Sequence, residues 1–279
     1  MRGGAPSLAK RFFCRRSGPI PDAIGRFLVS LSTVLATPDA GWRLTLYPEA
    51  GEAGGSFQSS AYSPRRYVPP GYSANPERAR AEAARRARSK VRRYGAANLL
   101  DRFGTLTYGP PFCTDPGQAR ADVARFMRDL RSELGGEPFP YVWVPEFHKD
   151  GERLHLHFAV GKFVRHSTVK DVWGHGFVKM KRITGQRHGA PAIEGARIAA
   201  RYLSKYVAKT FDFVELSGRH RYEVGQGFQP RAVRLTGTTD TEVLSSAIER
   251  MGGCIPSRSW SSSQVEDWQG PPARWYQWD

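Results

Sequence analysis

The alternation of apolar and polar positions is clearest in the middle of the chain. Residues 103–108 predict a strand that ends at Gly109. An amphipathic helix is predicted to begin after Asp115 and to end at Gly135. Its apolar residues recur every three or four positions, at Val123, Phe126, Met127, Leu130 and Leu134.

Three further strands and a second helix follow this pair of elements. Residues 141–147 and 153–160 each predict a strand, and Asp150-Gly151 between them is a strong signal for a hairpin turn. Residues 177–183 alternate as another strand, and residues 193–209 predict a helix. This order predicts an α+β fold, in which flanking helices pack against a central antiparallel sheet.

The two ends of the chain carry weaker patterns. A helix is predicted over residues 76–93, with Asn75 as its N-cap, and the glycine-rich stretch 51–55 is interpreted as a loop. After Phe213 the pattern fades, and the tail from residue 256 is rich in Ser, Pro and Trp. The predicted segments are a basic N-terminal arm (1–94), a central domain (95–215) and a partly disordered C-terminal extension (216–279).

The net charge of the chain indicates which class of molecule it binds. Among 279 residues, 42 Lys and Arg stand against 26 Asp and Glu, which gives a net charge of +16. A hydrophobic fraction of 40% is enough for a core and excludes disorder over the full length. A basic protein of this kind fits a polyanion, most simply a nucleic acid.

The predicted helix over residues 76–93 concentrates this positive charge. We interpret it as a DNA-binding helix that lies along phosphates; the alternative is an ordinary solvated helix face. Its basic residues are Arg78, Arg80, Arg85, Arg86, Arg88, Lys90, Arg92 and Arg93.

Several sequence features bear on the cellular compartment. The longest apolar run, residues 27–36, is shorter than a membrane helix requires, and the arginines between residues 11 and 16 argue against a secretory signal. The three cysteines are far apart and form neither a disulfide framework nor a CxxC metal site; they are Cys14, Cys113 and Cys254. We therefore expect a cytoplasmic protein without a membrane partner.

Two histidines alternate with apolar residues on one predicted strand. His155 and His157 point to the same face, because successive side chains of a strand alternate between faces. With Asp150-Gly151 as the turn, Glu146 pairs with His155 and shares that face, about 5 Å away between Cβ atoms. Two imidazoles and one carboxylate leave open positions on a catalytic divalent metal.

Two other interpretations of these residues stay open. His148, on the same face but nearer the turn, is a weaker candidate for a metal ligand than Glu146. The pair of histidines also fits a solvated polar face without a metal, although the register-matched Glu146 favours metal.

A second group of reactive side chains lies on the predicted helix 193–209. Tyr202 and Tyr206 are four residues apart, which stacks their phenols on one face, and Lys205 and Lys209 follow each of them by three residues. Taken alone, half-buried tyrosines beside solvated lysines are ordinary on a helix. Beside a metal site they fit a pair of nucleophiles, because a nearby ammonium stabilises a phenolate and the charge on a phosphate.

Together these motifs resemble the rolling-circle replication initiators of the HUH endonuclease superfamily, in the two-tyrosine branch of single-stranded-DNA phages and plasmids. Three motifs match in the family's order, and the run 173–178 is also similar to bacterial members. The motifs are the strand 103–108, the segment 146–157 and the segment 202–209. The resemblance covers residues 102–211 and implies a ferredoxin-like or RRM-like core with the metal pair on a middle strand.

The resemblance also implies an activity, that of a site-specific nickase and ligase for single-stranded DNA in the bacterial cytoplasm. It implies that His155, His157 and Glu146 hold Mg²⁺ or Mn²⁺, and that Tyr202 and Tyr206 attack DNA in turn, aided by the two lysines. Each attack leaves a 5′-phosphotyrosyl link and a free 3′-hydroxyl. Origin DNA, a host helicase and a host polymerase are the implied partners, since no Walker motif is present in the sequence.

Two rival hypotheses remain. A related relaxase or transposase would use the same metal site, although the pair of tyrosines argues against a single-tyrosine transposase. A non-catalytic, basic nucleic-acid-binding protein would use the histidines structurally, and it would form no covalent adduct with DNA.

Overall fold

The described chain forms two five-stranded antiparallel sheets with five helices. The computed structural model describes residues 40–59, 68–69, 72–183, 192–213, 216 and 221–279. The apolar run 27–36, the arginines between residues 11 and 16, and Cys14 lie outside these ranges. Within them, no helix is long and apolar enough to cross a membrane. The predicted α+β class is confirmed.

The strands and helices alternate irregularly along the chain. The strands are β1 Gly41–Tyr47, β2 Glu52–Gln58, β3 Arg102–Tyr108, β4 Tyr141–Phe147, β5 Leu154–Val160, β6 Gly176–Arg182, β7 Glu223–Val224, β8 Val233–Gly237, β9 Arg258–Ser261 and β10 Ala273–Gln277. The helices are α1 Pro76–Ala97, α2 Pro116–Glu133, α3 His166–Trp173, α4 Ala192–Lys209 and α5 Asp240–Arg250.

The central sheet has the strand order β6-β3-β5-β4-β7 and separates two hydrophobic cores. Apolar residues of one face pack against α2 and α3; they include Leu106, Trp143, Leu154, Leu156 and Phe158. The opposite face packs against α1 and α4, through residues that include Phe103, Val142, Val144 and Ala159. The two histidines of β5 also lie on this second face. They alternate along β5 with leucines of the first core, and successive side chains of a strand point to opposite faces.

The hairpin register predicted from the sequence is confirmed. Glu146 pairs with His155, and Val144 pairs with His157. Gly151 adopts a left-handed conformation in the turn, with φ of 77°, which glycine accepts without steric cost. The hairpin therefore places a carboxylate directly beside a histidine.

The helix starts follow local signals in the sequence. The Asn75 side chain accepts a hydrogen bond from the backbone N–H of Arg78, and the Asp115 carboxylate accepts bonds from Gly117 and Gln118. Both caps match the predicted helix starts. At Gly95, α1 comes so close to α4 that a Cβ atom there would lie 2.8 Å from the Ala200 methyl.

The second sheet joins the two ends of the described chain, in the order β8-β1-β2-β10-β9. Its core includes Trp42, Leu44, Leu46, Tyr276 and Trp278, and α5 packs against it. The interpretation of residues 51–55 as a loop is wrong for most of that stretch, because β2 begins at Glu52. The tail from residue 256, which belongs to the extension predicted to be partly disordered, supplies β9 and β10. Helix α3 was also not predicted.

Buried ion pairs connect the second sheet to α1 and α4. Glu52, 5% exposed, accepts hydrogen bonds from the guanidinium groups of Arg92 and Arg93. Arg197 of α4 donates to the carbonyls of Ala50, Gly51 and Trp278. It also pairs with the Asp279 carboxylate. These contacts fix the helix that carries both tyrosines to the strands at the chain ends.

Replacing Glu52 tests this connection. We expect Glu52→Gln to lower the free energy of unfolding by about 2 to 4 kcal/mol near neutral pH, because two guanidinium groups lose their carboxylate. Burial alone would raise the pKa of Glu52, but its bonds and proximity to Arg92 and Arg93 outweigh burial and lower it. A lowered folded-state pKa stabilises the fold at higher pH, so the difference shrinks as pH falls below about 4.

Denaturant unfolding of wild type and variant at several pH values measures this effect. Glu82→Gln is the matched control, because Glu82 pairs with Arg85 on the exposed surface of α1 and contributes about 0.5 kcal/mol or less. Equal stabilities of the Glu52 variant and wild type at neutral pH would contradict the assigned role of Glu52.

Candidate metal and tyrosine site

Three donor atoms converge at one end of the β4–β5 hairpin. The Glu146 Oε2 atom lies 2.8 Å from His155 Nε2 and 2.6 Å from His157 Nε2. The two Nε2 atoms are 3.0 Å apart. The predicted metal donors are thus brought together, and among the described residues they form a group that fits a divalent metal ion.

The electrostatics of this donor group favour a metal ion. Burial lowers the pKa of His157 and so keeps its imidazole neutral, which is the form that binds metals. Burial alone would raise the pKa of Glu146, but hydrogen bonds from His155, His157 and Lys209 outweigh it and keep the carboxylate ionised. The group therefore offers one ionised carboxylate and two imidazole nitrogens at one point.

Thr105 of β3 orients one of the histidines. Its Oγ1 atom lies 3.1 Å from His157 Nδ1, on the strand that pairs directly with His157. A metal ion would bind the Nε2 lone pair in place of the hydrogen bond from Nε2 to Glu146, and a proton on Nδ1 that is donated to Thr105 would leave that lone pair to the ion. Thr105 was not among the predicted site residues. It lies in the predicted strand 103–108, but the pairing of that strand with the histidine strand was not predicted.

His148 lies beside the site but outside the convergent group. Its ring centroid is 4.4 Å from that of His155, at the start of the hairpin turn. Burial, and then the nearby His155, lower the pKa of His148. Within the described chain, the carboxylate of Glu146 rather than His148 completes the set of three donors.

Tyr206 of α4 lies over one residue of this donor group, and Tyr202 lies beside Tyr206. The ring centroids of Tyr206 and His157 are 3.7 Å apart, and Tyr202 contacts the edge of Phe103. The Tyr206 hydroxyl donates a hydrogen bond of 2.8 Å to the Tyr202 oxygen. Tyr202 is 41% exposed. Burial, and then the bond to Tyr202, raise the pKa of Tyr206.

The two lysines of the tyrosine motif have different surroundings. Lys209 donates a 2.7 Å hydrogen bond to Glu146 Oε1, and its ammonium lies 5.3 Å from the Tyr206 ring centroid. Lys205 is exposed and, within the described residues, makes no hydrogen bond to the donor group. The structure therefore brings Lys209 to both the metal donors and a phenol, whereas Lys205 faces solvent.

The basic residues of α1 also divide into two sets. Arg92 and Arg93 are bonded to the buried Glu52. The other six residues are exposed along the same helix: Arg78, Arg80, Arg85, Arg86, Arg88 and Lys90. The predicted DNA-binding set is therefore partly committed to the fold, and six side chains remain available to a ligand.

Comparison with known proteins finds a family model that matches the part of the chain containing this site. Residues 101–211 match the family model of the replication-associated protein ORF2. This match, over less than half of the chain, contains β3 to α4 and with them the three donors and both tyrosines. It supports a replication initiator of the Rep type.

A curated protein and the solved structures give further information. A DNA ligase of Symbiobacterium thermophilum is 36% identical over 88 residues. These residues are 31% of this chain, and they span only 13% of the length of that ligase. No solved structure matches the chain. Both matched names concern proteins of DNA replication or DNA joining.

The donor group predicts a measurable affinity for a divalent ion in the absence of DNA. We expect Mn²⁺ to bind wild type with a stoichiometry of about one, and Glu146→Gln to weaken binding at least about tenfold, because the site loses its only anionic donor. Isothermal titration calorimetry measures both. His148→Gln is the control and should bind as wild type does; equal loss in both variants would mean that His148 belongs to the site.

Proposed function

We propose that this chain is a site-specific nickase and ligase of the two-tyrosine HUH type, which initiates rolling-circle replication of a phage or plasmid. The observation that carries the proposal is the contact of Tyr206 with His157 of the convergent donor group, together with the hydrogen bond that joins Tyr206 to Tyr202. The match of residues 101–211 to a replication-associated family supports the same conclusion.

In the proposed reaction the oxygen of one tyrosine attacks a phosphorus atom of single-stranded DNA. A Tyr–O–P bond forms and the P–O3′ bond breaks, which leaves a 5′-phosphotyrosyl link and a free 3′-hydroxyl. The phenolic proton is lost, and the departing 3′-oxygen gains a proton, so no oxidant or energy source is needed. The 3′-hydroxyl then serves a host polymerase as primer, and a host helicase opens the duplex.

The chain's own side chains prepare this attack. Because the Tyr206 hydroxyl donates to the Tyr202 oxygen, it stabilises negative charge that develops on that oxygen. The Lys209 ammonium stabilises negative charge on Tyr206, whose pKa burial has raised. When bound by Glu146, His155 and His157, Mg²⁺ or Mn²⁺ supplies Lewis-acid polarisation of the scissile phosphate.

Two phenols that are joined by one hydrogen bond suit two successive DNA strand transfers. After a round of synthesis the second tyrosine cleaves the regenerated site, and the released 3′-hydroxyl attacks the first phosphotyrosine and reseals the circle. The short distance between the two oxygens, 2.8 Å, lets both reactions use one set of donors. This feature favours a replication initiator over a single-tyrosine transposase.

Covalent capture tests the proposal. Wild type is incubated with Mn²⁺ and a pool of randomised single-stranded oligonucleotides, and a denaturing gel detects a protein–DNA adduct. We expect Tyr202→Phe or Tyr206→Phe alone to lower the yield, and the double variant to abolish it, because each phenol is a nucleophile. Sequencing of the captured DNA would identify the recognised site.

The control for this experiment is Tyr141→Phe, a tyrosine of the same sheet outside the donor group. It should form adduct as wild type does. The absence of an adduct with wild type would support the non-catalytic DNA-binding hypothesis, and an adduct in the double variant would place the nucleophile elsewhere.

The exposed basic face of α1 supports a second part of the proposal, a non-specific grip on phosphates. We expect Arg80→Gln with Arg88→Gln to weaken binding of single-stranded DNA and to reduce the slope of log Kd against log salt by about 1.4, since each lost phosphate contact removes about 0.7. Arg125→Gln with Arg128→Gln on α2 is the matched control, because α2 lies on the opposite face of the central sheet. An unchanged slope in the α1 variant would identify that face as merely solvated.

A further inference from the structure

The site face of the central sheet continues past the histidines to the edge strand β6. Strand β3 lies between β5 and β6, and it pairs in register with both. Thr105 pairs with His157 on one side and Lys179 on the other; Thr107 pairs likewise with His155 and Phe177. Directly paired residues of antiparallel strands share a face, so Phe177 and Lys179 face the same way as the histidines.

This part of the face is open to solvent. The β6 residues that point the other way, Val178 and Met180, pack against the core beneath α2 and α3. Phe177 is 69% exposed, and Lys179 and Lys181 are exposed beside it. One aromatic ring and two ammonium groups thus occupy every second position of this edge strand. They have no partner among the described residues.

The distance from this edge to the reactive groups is short. Two strand spacings, about 10 Å, separate Lys179 from His157 in the same row of the sheet. In the next row Lys181 pairs with Phe103, and the Phe103 ring contacts Tyr202 with centroids 4.9 Å apart. The three exposed side chains therefore lie on a continuous surface with the donors and the tyrosines.

We propose that Phe177, Lys179 and Lys181 form a docking face for the substrate strand beside its scissile phosphate. An unpaired base stacks on the Phe177 ring, and the two ammonium groups neutralise neighbouring phosphates. Single-stranded DNA is the occupant that fits, because stacking needs an unpaired base and the charge of this edge is positive. This inference rests on the proposed function, since it assigns the path of the substrate at that same site.

Binding without cleavage tests the docking face. The probe is a fluorescein-labelled oligothymidine of about 20 nucleotides in EDTA, measured by fluorescence anisotropy with the full chain. We expect Phe177→Ala to weaken binding about tenfold, the order of magnitude of one lost stacked base. Phe177→Trp should keep the wild-type affinity for the oligonucleotide, and Phe177→Leu should not, because only an aromatic ring stacks on a base.

The lysines have a separate readout. Lys179→Gln with Lys181→Gln should reduce the slope of log Kd against log salt by about 1.4, which a merely structural role would not change. Lys170→Gln on α3 and Phe163→Ala are the controls. Phe163 is 64% exposed and contacts Arg102, whose side chain alternates with Phe103 and so faces the opposite side of the sheet.

The outcomes separate this inference from the proposed nickase activity. Affinities of the Phe177→Ala and double-lysine variants within twofold of wild type would overturn the docking face, even if the wild-type chain forms a covalent adduct. A selective loss of affinity would support it, even if no adduct forms. An equal loss for a duplex of the same length would also overturn it, because a paired base does not stack on Phe177.

Discussion

The register between β4 and β5 is the constraint on which the whole site depends. A slip of one residue would turn His155 and His157 toward the apolar core and move Glu146 out of reach. The register is held by residues of the other face, such as Leu154, Leu156 and Phe158, which are buried against α2 and α3. The same alternation that builds the core therefore aims the metal donors at one point.

The side chains of helix α4 are likewise divided between a buried stripe and the positions beside it. Leu203 and Val207 are buried against the sheet, and this packing fixes the rotation of the helix. Tyr202 and Tyr206 lie next to this stripe, so Tyr206 is held against His157 and Tyr202 is held beside Tyr206. Arg197, bonded to the strands at the chain ends, fixes the start of the same helix. The second sheet thereby supports the site without contributing a reactive group.

The large positive charge has several separate uses. Arg92 and Arg93 neutralise the buried Glu52, and Lys209 is bonded to Glu146. Arg92 and Arg93 are thereby committed to the fold, and Lys209 orients a donor. The net charge of the chain therefore overstates its available surface charge, of which the exposed part of α1 and the edge strand β6 carry two concentrations.

The sequence by itself determined the strands of residues 102–182, the helices α2 and α4, the helix starts at Asn75 and Asp115, and the pairing of Glu146 with His155, but not α3. These features depend on local periodicity, capping and a short turn, which neighbouring residues specify. Only the tertiary structure decided the second sheet, the place of β6 beside β3, and the contact of Tyr206 with His157. Those depend on pairings between residues far apart in the chain, such as Trp42 with Gly237, for which no local pattern exists. Periodicity gives the face of each strand, but the choice of neighbouring strand comes from burying the whole core at once.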